Sequence, residues 1–130
     1  MDSTELIKKL QIKAGQRLWL INVPRPFAEA LTAGAEVEPV PAGEAYDGAI
    51  AFCQNPMEVA SFAGQILPGL PADGLLWFAY RKGEAGRRAG LTRDTGWEAL
   101  KSQGFDTVRS IAFDEEWTGL RFRQSEVVNR

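Results

Sequence analysis

Three short runs dominate the hydrophobic pattern of this chain: Arg17-Leu18-Trp19-Leu20-Ile21, Gly48-Ala49-Ile50-Ala51-Phe52-Cys53 and Leu75-Leu76-Trp77-Phe78-Ala79-Tyr80. A strand that is apolar on both faces needs cover on both faces, and parallel strands between two helical layers meet that need. The segments between the runs change to helical spacing. Pro24 stops the first run, and Pro26 suits the first turn of a helix through Phe27, Ala30 and Leu31 that ends near Gly34. Asn55-Pro56 opens another helix, with Met57, Ala60, Phe62, Ile66 and Leu67 as its buried side, and Pro68-Gly69 closes it. Glu36 to Val40 alternates and contains Pro39, which cannot donate to a ladder, so it reads as an edge strand.

The ends of the chain complete the order. A helix is expected over about Thr4 to Leu10, with Ser3 as N-cap. After a charged loop, Asp94 is expected to cap a helix through Trp97, Leu100 and Lys101, closed by Gly104. Two last strands, Thr107 to Phe113 and Trp117 to Arg123, lie too close together for a parallel crossover and must be antiparallel. The fold class is therefore α/β: an open, mostly parallel Rossmann-like sheet of about six strands with a C-terminal antiparallel hairpin. No linker divides the chain, so residues 1–130 read as a single domain.

Composition enters as exclusion. There is no histidine, which removes Ser-His-Asp and Cys-His nucleophile systems and all histidine metal sites. The one cysteine, Cys53, offers neither a disulfide framework nor a thiolate cage, and its apolar run reads as a buried, inert position. Lys and Arg number 15 against 17 Asp and Glu, so no global positive field marks a nucleic-acid binder. With no apolar leader and no membrane-length apolar stretch, a cytoplasmic protein is expected.

Several segments resemble the class I methyltransferase fold. Lys13-Ala14-Gly15-Gln16-Arg17-Leu18-Trp19 is similar to the "KPGxxVL" that leads into the family's first strand, and Tyr46-Asp47-Gly48-Ala49-Ile50 to its "FDxV". LPGLPADGLL, from Leu67 to Leu76, is similar to "LxPGGxL", and Gly104-Phe105 to the "GF" before the antiparallel pair. LIKKLQIKAGQRLWLINVP, LTRDTGWEAL and DEEWTGLRFR resemble a bacterial family of short, uncharacterised proteins with a truncated fold of this kind. That resemblance covers nearly the whole chain and implies the fold more than an activity.

The resemblance implies S-adenosylmethionine as cofactor, held by a "D-x-G-x-G-x-G" loop after the first strand. Here Leu20 stands at the acidic position, and Asn22, Pro24 and Pro26 fall on the three glycine positions. Proline removes N–H donors and adds bulk. Pro41 and Ala42 occupy the place of the carboxylate that takes the ribose hydroxyls. These departures speak against S-adenosylmethionine binding by the usual mode, and no cofactor is expected.

The remaining candidates are polar clusters. Between Arg81 and Arg93 stand five basic residues, Arg81, Lys82, Arg87, Arg88 and Arg93, against Glu84 alone. The segment follows a central strand, where open α/β sheets bind ligands, and its glycines suit a mobile loop that captures an anion. Thr92, Arg93 and Asp94 extend it to a helix N-terminus, a second anion-binding feature. No aromatic side chain interleaves the basic run, so nucleic acid is not expected. Asn55-Pro56 is similar to the "[DN]-P-P-[YF]" loop of amino-methyltransferases, but Met57 and Glu58 replace its last two residues and a helix cap explains it. Asp114-Glu115-Glu116 sits in a hairpin turn and points to water, with Arg121 and Arg123 able to pair with these acids.

These features favour a non-catalytic methyltransferase-like module that binds a protein partner or a small anionic ligand near Arg81 to Asp94. The alternative is a divergent S-adenosylmethionine-dependent methyltransferase with a rebuilt cofactor site, whose base would be Asp94, a glutamate or Tyr80. A homodimer through the edge near Glu36 to Val40 or the N-terminal helix stays open.

Overall fold

A computed structural model describes residues 8–34 and 36–125. Its strands are β1 (Arg17–Ile21), β2 (Glu38–Val40), β3 (Gly48–Phe52), β4 (Leu75–Arg81), β5 (Phe105–Ala112) and β6 (Trp117–Gln124). Its helices are α1 (Arg25–Gly34), α2 (Pro56–Ile66), α3 (Gly83–Ala89) and α4 (Glu98–Lys101), with a 3-10 turn at Leu67–Gly69. Lys8, Lys9 and Leu10 are helical, and the rest of the N-terminal helix expectation lies outside the described residues.

The six strands form one sheet in the order β2-β1-β3-β4-β6-β5. The strands β2, β1, β3 and β4 run parallel, while β6 pairs antiparallel with both β4 and β5. The two continuously apolar runs account for the middle: every residue of β3 is buried, as is all of β4 except Arg81. Pro39 lies in β2 at the sheet edge, where a missing donor costs no ladder bond.

A core lies against each face. One packs Ala49, Ala51, Val59, Ile66, Phe78, Trp97 and Phe122 between the sheet and the α2 and α4 side. The other gathers Leu18, Phe27, Leu31, Phe52, Trp77, Phe113 and Trp117 under α1. Trp77 is fully buried, and its indole N–H donates to the Leu10 carbonyl at 3.1 Å, so this largest side chain brings no orphaned donor into the core.

Three sequence expectations change here. Met57 lies outside the buried face of α2 and is 81% exposed, because the face toward the sheet is set by Val59, Ala63 and Ile66. The stretch after Arg81 is helix α3, ended by Gly90 in the left-handed conformation, rather than a loop. Asp94 caps no helix: α4 starts only at Glu98, with Trp97 preceding it.

Candidate functional site

In an open α/β sheet the crevice at the carboxyl ends of the strands opens where the strand order reverses. That reversal falls between β1 and β3, which pair with each other while the chain crosses from β2 to β3. Two short turns border it, Asn22-Val23-Pro24 after β1 and Cys53-Gln54-Asn55 after β3. Asn22 has φ 54°, a left-handed turn that asparagine tolerates better than most side chains. Pro24 immediately precedes α1, and its carbonyl accepts from the Ala28 N–H at 2.9 Å.

The turn after β3 is built as a helix start. The Asn55 side chain accepts from the Glu58 N–H at 2.9 Å, and Pro56 stands in the first turn. The Glu58 carboxylate accepts from the N–H of Gln54, the residue before the cap, at 2.7 Å. Cys53 is 1% exposed, and burial, with the Glu58 charge adding to it, pushes its thiol far above the ordinary range. It is no nucleophile in this fold.

Beside these turns, Pro24, Lys82, Phe113, Glu115 and Trp117 line an open groove of about 730 Å³. Arg81 contacts two residues of its lining, Glu116 and Trp117. The Arg81 guanidinium donates to Gln54 Oε1 at 3.2 Å, pairs with Glu116 at 3.0 Å and lies 4.8 Å from the Trp117 ring centre. It thereby ties the turn after β3 to the β5–β6 hairpin. Gln54 was not singled out by its sequence; the Arg81–Trp117 contact follows from the antiparallel register of β4 and β6, in which the two residues are directly opposed.

The five basic residues do not converge. Arg87 and Arg88 both turn back to Glu84 on α3, at 2.6 and 3.7 Å. Arg81 is committed to Glu116. Lys82 gives its backbone N–H to the Glu116 carbonyl at 2.9 Å, and its ammonium has no ion-pair partner among the described residues. Arg93 also has none, and stands on the separate turn Thr92–Trp97. The expected loop is thus a helix in which two of the cations share one carboxylate, Glu84.

The turn after α3 is closed from within. The Thr92 hydroxyl accepts from the N–H groups of Asp94 and Thr95 at 3.2 and 3.1 Å, and the Thr92 carbonyl accepts from the Trp97 indole at 2.7 Å. Asp94 therefore offers a free carboxylate instead of a helix cap. In the hairpin, Asp114 Oδ1 accepts from the N–H groups of Glu116 and Trp117, both at 2.7 Å, so this acid stabilises the turn. The expected pairing of Arg121 and Arg123 with the hairpin acids does not form. Arg123 instead makes two bonds to Asp73, at 2.8 and 2.7 Å, and Arg121 donates to Gln11 at 2.8 Å. Both arginines lie toward the far end of β6, away from the turn. Among the described residues no group of histidine, cysteine and carboxylate side chains could hold a metal, and no helix is long and apolar enough to cross a membrane.

No protein-family model matches the sequence, and no curated protein matches it. Solved structures do. A S-adenosylmethionine-dependent methyltransferase from Aquifex aeolicus aligns with TM-score 0.56 and 13% identity, over 93% of this chain and 88% of its own. The N-methyltransferase NodS from Bradyrhizobium japonicum WM9 aligns with TM-score 0.55 and 13% identity, over 93% of each chain. Fibrillarin from Aeropyrum pernix aligns with TM-score 0.50 and 13% identity, over 85% of this chain and 67% of its own. The fold is thus methyltransferase-like and Rossmann-like across nearly the whole chain.

These neighbours correct the expectation that no cofactor is bound. NodS is also solved in complex with S-adenosylhomocysteine, and the Aeropyrum fibrillarin carries natively bound S-adenosylmethionine. The physical reason lies in how the prolines are placed. Pro26 is the second residue of α1, where a backbone N–H has no intrahelical partner in any case. Asn22 makes the left-handed turn that glycine would otherwise provide. Missing glycines therefore do not by themselves close the loop to a ligand.

Proposed function

We propose that this chain is a divergent S-adenosylmethionine-dependent methyltransferase domain whose cofactor loop is rebuilt around Asn22. This reading takes precedence over that of a non-catalytic binding module. The observation that carries it is the left-handed turn of Asn22 at the switch point of the sheet, in a fold shared with methyltransferases over 93% of the chain. Asn22, the Val23 N–H and the turn Cys53-Gln54-Asn55 are the groups that would hold the cofactor. When bound, S-adenosylmethionine supplies an electrophilic methyl group on its sulfonium. The chain supplies hydrogen bonds from Asn22, and apolar cover from Pro24 and Trp117 in the adjoining groove. The carboxylates after β2 are already engaged, Glu44 with the Arg17 guanidinium at 3.3 Å and Asp47 with the Arg17 N–H at 2.8 Å, so the ribose would be held by amide groups. The same reading groups the chain with the short bacterial methyltransferase-like proteins it resembles, and with a cytoplasmic location.

Calorimetric titration with S-adenosylmethionine and S-adenosylhomocysteine tests the proposal. Micromolar binding is expected, with a loss of about tenfold in Asn22→Ala, the effect of about 1.4 kcal/mol for a hydrogen-bonding side chain. At a hundredfold excess over Kd the ligand should stabilise the fold by about 2.7 kcal/mol. Absence of heat and of any thermal shift at millimolar ligand would overturn it.

A further inference from the structure

The pair β5 and β6 gathers cations on one face of the sheet. Arg121 and Arg123 stand two residues apart on β6 and so share a face. Their register partners on β5 are Arg109 and Asp106. Three residues apart, these two would fall on opposite faces of a regular strand. The register shift between Thr107 and Arg109 takes up one residue and returns both to the face of Arg121 and Arg123. Directly opposed residues have Cβ atoms about 4.5–5.5 Å apart, and like charges so placed are destabilising. Arg109 and Arg121 are such a pair.

The Arg121 charge is poorly matched by what surrounds it. Arg121 is 9% exposed, the buried charged residue among those described, and on its other side it is opposed by the fully buried Trp77. Its Nη1 donates to Gln11 Oε1 at 2.8 Å, a neutral acceptor. Its Nε is enclosed and has no partner. Its Nη2 makes no hydrogen bond among the described residues, and since it is not one of the enclosed unpartnered atoms it reaches the surface. The carboxylate of Asp73 is taken by Arg123, which donates to it through Nε and Nη2 at 2.8 and 2.7 Å. Arg109 is exposed and has no ion-pair partner among the described residues. Burial pulls the Arg121 guanidinium below its ordinary range, the Arg123 and Arg109 charges add to that, and Asp73 opposes it. A buried cation in this position lacks a counter-charge.

We propose that Arg109 and Arg121 bind the phosphate group of a small phosphate monoester. Its oxygens accept from Arg121 Nη2 and from the Arg109 guanidinium, across the strand pair. Two guanidinium groups match a tetrahedral dianion with three free oxygens better than a planar monocarboxylate, which one of them fills. Asp73 and Asp106 stand beside the neighbouring Arg123 and repel further phosphates on that side, so a single phosphate is favoured over a nucleic-acid backbone. The site lies away from the turns at the switch point. Trp77, opposite Arg121, is four residues back along β4 from Arg81, about 13 Å at strand spacing. Its occupation does not depend on the methyl-transfer reading.

The test is an NMR titration of the whole chain with inorganic phosphate at constant ionic strength, following the Trp77 indole N–H, with thermal unfolding in parallel. A saturable millimolar shift is expected, with acetate about tenfold weaker. At a tenfold excess over Kd, phosphate should raise Tm by about 5 °C. Arg121→Met should abolish both responses, and Arg109→Gln should weaken binding about tenfold. Arg109 is exposed, so its variant reports on the site even where Arg121→Met does not fold. A general salt effect would persist in Arg109→Gln. A linear response, an equal response to acetate, or unchanged phosphate affinity in Arg109→Gln would each overturn the proposal. A short oligouridylate without a terminal phosphate should bind no more tightly than inorganic phosphate, and tighter binding would overturn the choice of a single phosphate. S-adenosylmethionine carries no phosphate, so its calorimetric titration reads the other site independently.

Discussion

Gly119 is the position at which one added carbon should cost most. It lies within β6, paired on one side with Ala79 of β4 and on the other with Ile111 of β5, so its backbone cannot retreat. A Cβ there would stand 2.1 and 2.2 Å from two carbons of the Phe113 ring. That ring is also held: it is 1% exposed, stacks on Phe27 at 5.2 Å and touches Phe52 and Trp77 at 5.8 and 5.9 Å. Overpacking of this kind costs about 1–3 kcal/mol, and both partners being fixed points to the upper end. Alanine also restricts the unfolded chain, which returns about 0.5–1 kcal/mol. The expected net loss for Gly119→Ala is about 2 kcal/mol. For a chain of this length that lowers Tm by about 7 °C. Urea unfolding followed by tryptophan fluorescence measures it, alongside Phe113→Leu and the double variant. In the Phe113→Leu background the alanine should cost less than about 0.5 kcal/mol, a coupling of about 1.5 kcal/mol. Equal penalties in the two backgrounds, or a single variant as stable as the parent, would refute the clash.

Gly86→Ala should displace α3 from the end of β4, because its Cβ would meet the Arg81 and Leu91 carbonyl oxygens at 2.1 and 2.6 Å; faster hydrogen exchange over residues 83–91 with slow exchange kept in β3 is the expected pattern. Asn55→Ala removes the cap of α2 and should cost about 1 kcal/mol in equilibrium unfolding, with Asn55→Asp close to neutral. The hydrogen bond from Arg123 holds the Asp73 carboxyl below its ordinary range. A depressed folded-state pKa contributes stability above the unfolded value and loses it as pH falls through the folded one. The stability difference between the parent and Asp73→Asn should therefore be constant above about pH 5 and shrink below about pH 4, as acid unfolding curves will show. Cys53, buried and with its thiol pushed up, should not react with a thiol reagent at pH 8 until the chain is unfolded.

Much of the frame was legible because it depends on local rules. The run from Leu75 to Tyr80 is apolar at every position, and only a strand covered on both faces satisfies such a run, so its central place in the sheet could be read directly. Pro39 announced an edge, and Asn55-Pro56 a helix start, because each acts through its own backbone chemistry. The charged segment was less legible. Its glycines suggest a loop, yet Gly83 to Ala89 is helical, held by the packing of Gly86 under Arg81 and Leu91 and by the pairing of Glu84 with Arg87 and Arg88. A short helix of modest propensity is decided by what it rests on.

The sequence by itself determined the kind of layers this chain builds, the antiparallel return of its last two strands, and the absence of histidine chemistry. Each of these follows from period, proline position or residue type. Only the tertiary structure decided which charges remain available. Arg81, Arg87 and Arg88 are paired with acids that the register and the helix bring to them, while Arg93 and Asp94, on a turn that closes on Thr92, have no ion-pair partner among the described residues. Likewise only the backbone at Asn22 showed that a loop without glycine still makes the left-handed turn. Residue type states what charge a side chain carries; distance in the folded chain decides whether that charge is already spent on a neighbour or free for a ligand.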